Sequence, residues 1–217
     1  LSEGLPVQEQ SLHSVFTGNP GTGKTTVARL LGRVLFDRGV LPGDEFKFIE
    51  VSESDLIATH IGETAVQTQA ILEKAKGGIL FIDEAYTLNK GKSSQHNFGL
   101  EAINTILKYM EDYRNEIMII FAGYTKEMEQ FFETNPGLKS RVPNTFFFED
   151  YSGDEIVEMG LKNLQKSAYQ LEDEAYYAMR VKQAYSRPLD HSNGRWIRNF
   201  NEHLMRALAN RVVETQV

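Results

Sequence analysis

Short apolar runs bounded by turn formers alternate along this chain with longer stretches whose apolar positions recur every three or four residues. The short runs predict strands at 14–17, 46–51, 78–82, 117–122 and 145–148. The longer stretches predict helices at 24–38, 63–75, 100–113 and 126–133, the first carrying Val27, Leu30, Leu31, Val34 and Leu35 at helical spacing. Strands and helices alternating in this order form an α/β domain with a mostly parallel sheet. After "FFFEDYS" the strand signal stops. Ser152-Gly153-Asp154-Glu155 reads as a capping box, and further helices are expected from about residue 172 and about residue 193. The expected organisation is an α/β domain over 1–150 and a helical domain over 151–217. The polar tract "NKGKSSQHN" at 89–97 reads as a loop.

Composition narrows this picture a little. With 217 residues, 41% hydrophobic and 24% charged, the chain can bury a sizeable core plus a small satellite. A net charge of −7 provides no global attraction to nucleic acid or an anionic membrane. Without cysteine there are no disulfides or thiolate metal sites, which suits a cytoplasmic location. No apolar run approaches the length of a bilayer span. The first residue is Leu1 rather than Met, so the chain reads as a fragment of a longer protein.

The chemistry begins at "FTGNPGTGKTTVARLLG". Gly18-x-x-x-x-Gly23-Lys24-Thr25 has the spacing of a phosphate-binding P-loop, the Walker A motif. Glycines let backbone N–H groups converge on one point, and the helix that follows adds the positive end of its dipole. Candidate nucleotide contacts are Gly18, Asn19, Pro20, Gly21, Thr22, Gly23, Lys24, Thr25 and Thr26. Lys24 is expected on the β and γ phosphates of ATP and the Thr25 hydroxyl on Mg²⁺.

A second signature is "GGILFIDEA". Ile79 to Ile82 read as a buried central strand, and a parallel strand presents its carboxyl end to the ligand crevice. Asp83 and Glu84 stand there, as in a Walker B motif. Asp83 is placed to hold Mg²⁺ and Glu84 to polarise the attacking water. The alternative is an acidic pair that caps the next helix.

The segments "HSVFTGNPGTGKTTVARL", "GGILFIDEAYTL", "FGLEAINTILKYMED", "IIFAGYTKEMEQFFETNPGLKSRV" and "NGRWIRN" together resemble the CbxX/CfqX family of AAA+ ATPases, the group of red-type rubisco activase and stage V sporulation protein K. The resemblance runs from about residue 12 to about residue 209. It implies a P-loop αβα sandwich followed by a small all-α lid, a homo-oligomeric ring, expected as a hexamer, and ATP hydrolysis coupled to remodelling of a protein client. By resemblance Arg141, expected on an exposed loop, is an arginine finger that reaches a neighbour's γ phosphate, with Lys139 close by. Arg195 is the corresponding lid arginine, and Arg198 shares its helical face. Tyr124 occupies the sensor position after the strand "IMIIFAG", where a phenol can donate to phosphate or simply pack. His60-Ile61-Gly62 departs from the aromatic expected in a client-gripping pore loop and suggests a weak or pH-dependent grip. The other histidines, His13, His96, His191 and His203, show no ligand spacing and read as surface or packing residues, and the remaining aromatics as mostly core.

Two further classes stay open at this level. A monomeric P-loop kinase would need an acceptor pocket and no water-activating acid. A nucleic-acid motor on the same fold would need basic tracks, of which Lys90 and Lys92 are the only cluster.

Overall fold

Ile79, Leu80, Phe81 and Ile82 are all fully buried, as a central strand covered on both faces must be. In the computed structural model, which describes residues 11–60, 62–89, 98–186 and 192–214, this segment is β3 of a five-stranded sheet. The order of elements leading to it is β1 (Ser14–Gly18), α1 (Lys24–Asp37), β2 (Phe48–Val51), α2 (Glu53–Leu56) and α3 (Thr64–Ala75). After β3 come a 3-10 turn at Ala85–Asn89, α4 (Phe98–Asp112), β4 (Met118–Gly123), α5 (Thr125–Glu133), α6 (Pro136–Arg141) and β5 (Asn144–Phe148). The sheet order is β2-β3-β4-β1-β5. The pairs β1–β4, β2–β3 and β3–β4 are parallel, with Ile82 opposite Phe121 and Thr17 opposite Gly123. Among the described residues no helix is long and apolar enough to cross a membrane.

Alternate side chains of each strand serve the two faces. Leu80, Ile82, Ile119 and Phe121 join one core with Leu72 of α3, Ile103 and Ile106 of α4 and Phe131 of α5. On the opposite face Ile79 meets α1. There the apolar stripe read from the sequence is not the buried one: Val27, Leu30 and Val34 are 42%, 62% and 55% exposed, and Ala28 and Gly32 are buried instead. Close approach explains the inversion, because a Cβ on Gly32 would overlap Ile79 and crowd Phe46. β5, an edge strand, departs likewise, with Phe147 62% exposed and Phe146 edge-on to Phe16.

By contacts the described chain falls into two compact units. Residues 11–17 group with Lys24–Phe147, and the loop Gly18–Gly23 groups with the segment from Phe148 onward. The second unit holds α7 (Gly153–Lys166), α8 (Glu174–Tyr185) and α9 (Gly194–Glu214) around Ile156, Leu164, Tyr177, Val181 and Ile197. The capping box at the start of α7 forms: the Glu155 N–H bonds the Ser152 hydroxyl, and the Glu155 carboxylate accepts from the Ser152 N–H at 2.8 Å. The Ser152 N–H, and after it the Ser152 hydroxyl, both donating to the carboxylate, hold the Glu155 carboxyl below its ordinary range. Within the helices the Tyr177 hydroxyl donates to Asn201 at 2.7 Å, and the Asn201 amide donates to the Gly160 carbonyl at 2.9 Å.

His13 enters β1 buried, its Nδ1 accepting from the Ile119 N–H at 3.1 Å. That bond places the ring proton on Nε2, which has no partner among the described residues. Burial, aided by the charge of Arg114, lowers its pKa from 6.5 to about 4. The unfolded chain therefore binds the extra proton first as pH falls. The stabilisation is complete above about pH 6.5 and is lost on the way down to about pH 4, a change on the order of 3 kcal/mol. Urea unfolding at pH 7.5, 5.5 and 4.5 should show a steeper loss for the wild type than for His13→Gln. Parallel losses would remove His13 as the cause.

Candidate functional site

Glycine shapes the loop that leaves β1. Gly21 adopts φ +73°, a conformation hostile to side chains, and a Cβ there would overlap the Ser192 carbonyl oxygen. Gly18 has φ +147°, and a Cβ on it would overlap the Phe148 carbonyl. The successive loop carbonyls are all occupied. Asn19 accepts from the Thr22 hydroxyl at 2.8 Å, Pro20 from Asn193 Nδ2 at 3.3 Å, Gly21 from the Gly194 N–H at 3.0 Å and Thr22 from the Tyr151 hydroxyl at 3.0 Å. In a trans peptide the following N–H points opposite to the carbonyl. With no cis bond among the described residues, the amides of Gly21, Thr22 and Gly23 face away from the groups that hold the carbonyls. Amides left facing away from their own loop's anchors are the kind of donor an anion-binding nest requires.

In the first unit the site residues sit where parallel strands end. β1, β4 and β3 are neighbours, and the chain leaves β4 at Tyr124 and β3 at Asp83. Lys24, Thr25 and Thr26 form the first turn of α1, where a helix dipole is positive. Asp83 prolongs the ladder, its N–H donating to the Val51 carbonyl at 2.8 Å, and its carboxylate accepts from the Glu84 N–H at 3.0 Å. Glu84 is exposed at φ +47°, a left-handed conformation that a non-glycine residue adopts only at a cost. Its carbonyl is fastened twice, by the Thr87 N–H and by the Thr87 hydroxyl, both at 2.8 Å. The acidic pair thus precedes a tight 3-10 turn and not a full helix.

Tyr124 lies next to Tyr86, ring centroids 6.1 Å apart. Burial, then the charge of Glu84, pushes the Tyr86 phenol up to about 12, so it stays protonated. Among the described residues no group of three or more His, Asp or Glu side chains could hold a metal by itself. Thr25 and Asp83 are an oxygen-donor set suited to Mg²⁺, which is usually held by one or two protein groups together with substrate phosphates.

Arg141 ends α6 instead of standing on a loop. Its Nε donates to Glu111 at 3.1 Å and its Nη1 to the Gly137 carbonyl at 3.1 Å. Lys139, two residues earlier, is exposed. Arg195 and Arg198 are exposed in the first turns of α9, in the second unit. His60 is exposed, Ile61 lies outside the described residues, and so do Lys90, Lys92, His96 and His191.

The residues that organise the loop were not singled out in the sequence. Asn193, fully buried at φ +52°, and Asp150, which accepts both from it and from the Asn19 amide, carry that role. The Asn-Gly pair at 193–194 carried a signal, because asparagine tolerates left-handed backbone.

Residues 14–150 match the family model described as "ATPase family associated with various cellular activities (AAA)". The chain is 45% identical over 97% of its length to stage V sporulation protein K of Bacillus subtilis, of which it covers 66%. It is 39% identical to the chloroplastic ribulose bisphosphate carboxylase/oxygenase activase of Cyanidioschyzon merolae, with 98% of this chain and 72% of that protein covered. To protein CbbX of Cereibacter sphaeroides it is 40% identical, over 96% of this chain and 67% of that protein. The chain thus spans about two thirds of the length of such relatives. Among solved structures a point mutant of Thermotoga maritima RuvB shares the fold at a TM-score of 0.66 and 20% identity, covering 93% of this chain and 57% of that one.

Proposed function

We propose that this chain, which belongs to the CbxX/CfqX group of the AAA family of ATPases and so hydrolyses ATP, does so as a homo-oligomeric ring, a hexamer, that remodels a protein client. The observation that carries the reading is the placement of chemistry at the carboxyl ends of neighbouring parallel strands, with Asp83 and Glu84 leaving β3 and Tyr124 leaving β4. Lys24 holds the β and γ phosphates, and the Gly18–Gly23 amides cradle them. Thr25 and Asp83 would hold Mg²⁺, which when bound neutralises phosphate charge. Glu84 orients the attacking water and takes its proton, while Tyr124 donates toward phosphate or water. Arg141 serves the neighbouring subunit's site, and Arg195 contacts phosphate from the helical unit.

The net charge of −7 argues against a nucleic-acid client, and the absence of cysteine suits the cytoplasm. His60 stands at the expected client-gripping loop.

Steady-state ATP hydrolysis per subunit, measured against protein concentration, tests the ring. A rate that climbs with concentration and levels off supports sites completed by a neighbour. A rate independent of concentration would return the reading to a monomeric P-loop enzyme, and tight DNA binding at physiological salt would return it to a nucleic-acid motor.

A further inference from the structure

Within the second unit a buried side chain from the start of α9 reaches the loop at Gly18–Gly23. Asn193 is fully buried, and its amide is satisfied on both sides. The oxygen accepts from the Tyr151 N–H at 2.8 Å and the Tyr185 hydroxyl at 2.9 Å. The nitrogen donates to Asp150 at 2.7 Å and to the Pro20 carbonyl at 3.3 Å. Two donors on one side and two acceptors on the other leave a single orientation for the amide. Asp150 in turn accepts from the Asn19 amide at 3.0 and 2.9 Å. Its carboxylate therefore bridges the start of α9 and the start of the loop.

We propose that Asn193 is a positioning residue for the phosphate-binding loop: with Asp150 and Gly194 it turns the Pro20 and Gly21 carbonyls outward and thereby aims the Gly21 and Thr22 amides at the phosphates. Asparagine suits the position twice over. It accepts the left-handed φ of +52° more readily than other side chains, and it alone combines donor and acceptor in the length required. The backbone φ also sets the Gly194 N–H against the Gly21 carbonyl, so conformation and side chain act on consecutive peptides. This inference rests on the loop binding ATP phosphates, as proposed above.

Asn193→Asp keeps shape and size but replaces the donor with an acceptor facing the Asp150 carboxylate and the Pro20 carbonyl. Hydrogen exchange of the Gly194 amide, whose N–H donates to the Gly21 carbonyl, reads the seating of the loop in the nucleotide-free protein, whatever the loop binds. The expected result is exchange faster by roughly tenfold or more, the size of change that follows from losing one buried hydrogen bond. For ATP hydrolysis, KM should rise by a similar factor with a smaller fall in kcat. Adding Asp150→Asn restores a donor opposite the new carboxylate and should recover part of both losses. Tyr177→Phe, which removes a buried hydrogen bond elsewhere in the same unit, should leave Gly194 exchange and KM unchanged. Should Asn193→Asp fail to fold, Asn193→Gly preserves the backbone conformation and removes only the side chain, with the same expectation.

Gly194 exchange that rises no more in either Asn193 variant than in Tyr177→Phe would overturn the proposal. A wild-type chain that fails to bind ATP would instead overturn the functional reading, while the exchange data would still judge whether Asn193 positions the loop.

Discussion

On the reading proposed above, Arg141→Ala should lower steady-state ATP turnover on the order of a thousandfold while ATP binding survives, because a guanidinium that meets charge developing in the transition state acts on rate and little on ground-state affinity. In the isolated chain the group bonds Glu111 and the Gly137 carbonyl. Glu111 is largely exposed, so their separation costs under about 1 kcal/mol. The contact parks the side chain without locking it. Arg141→Lys should recover little, since an ammonium lacks the planar fork. Mixing is the sharper measurement. Arg141→Ala subunits and Glu84→Gln subunits should each be inactive alone, yet a mixed ring, if the proposed assembly holds, would contain sites with Glu84 from one subunit and Arg141 from the next. Recovered turnover on mixing supports an arginine acting across the boundary. Failure to recover, with mixed assembly verified, would remove Arg141 from the neighbour's site.

The second large effect falls on Glu84. Glu84→Gln keeps size and hydrogen-bonding reach but cannot take a proton, so hydrolysis should fall on the order of a hundredfold to ten-thousandfold with ATP still bound. Single-turnover hydrolysis and equilibrium nucleotide binding, measured on the same preparation, separate the two quantities. The backbone adds a second expectation. Glu84 is held at φ +47° by two bonds from Thr87 to its carbonyl, a conformation that costs a non-glycine residue on the order of 1 kcal/mol or more. Glu84→Gly should therefore raise or maintain the unfolding midpoint while abolishing turnover. A variant that loses both stability and activity would mean that the Glu84 side chain supports the fold.

Periodicity made β3 and β4 legible because each is buried on both faces and so reads as an unbroken apolar run. It misjudged α1. Val27, Leu30 and Val34 mark the obvious stripe, yet the sheet accepts Ala28 and Gly32, since contact at this distance is governed by volume and not by hydrophobicity. The aromatic run at 146–148 forms the expected strand, but its rings are not mostly core, because an edge strand is covered unevenly. The short α6 hid behind a proline-glycine turn signal, although proline suits the first turn of a helix.

The loop and the strand-end acids could be singled out from spacing because a phosphate-binding pattern constrains consecutive residues. The Asn19, Asp150 and Asn193 linkage could not, because its members lie far apart in the chain and none belongs to a local pattern.

The strand order also sets a timetable for synthesis. β1 leaves the ribosome before the other strands but pairs with β4, about a hundred residues later, and with β5 after that. At roughly ten residues per second, Val15 and Phe16 wait on the order of ten seconds for the partners that bury them. Until then β2 and β3 can pair only with each other, and a nascent chain stopped before β4 carries the whole Walker A sequence with no sheet to mount it on. Folding of this unit is thus deferred to the arrival of its fourth strand, and the early chain is a natural substrate for whatever shields apolar segments during translation.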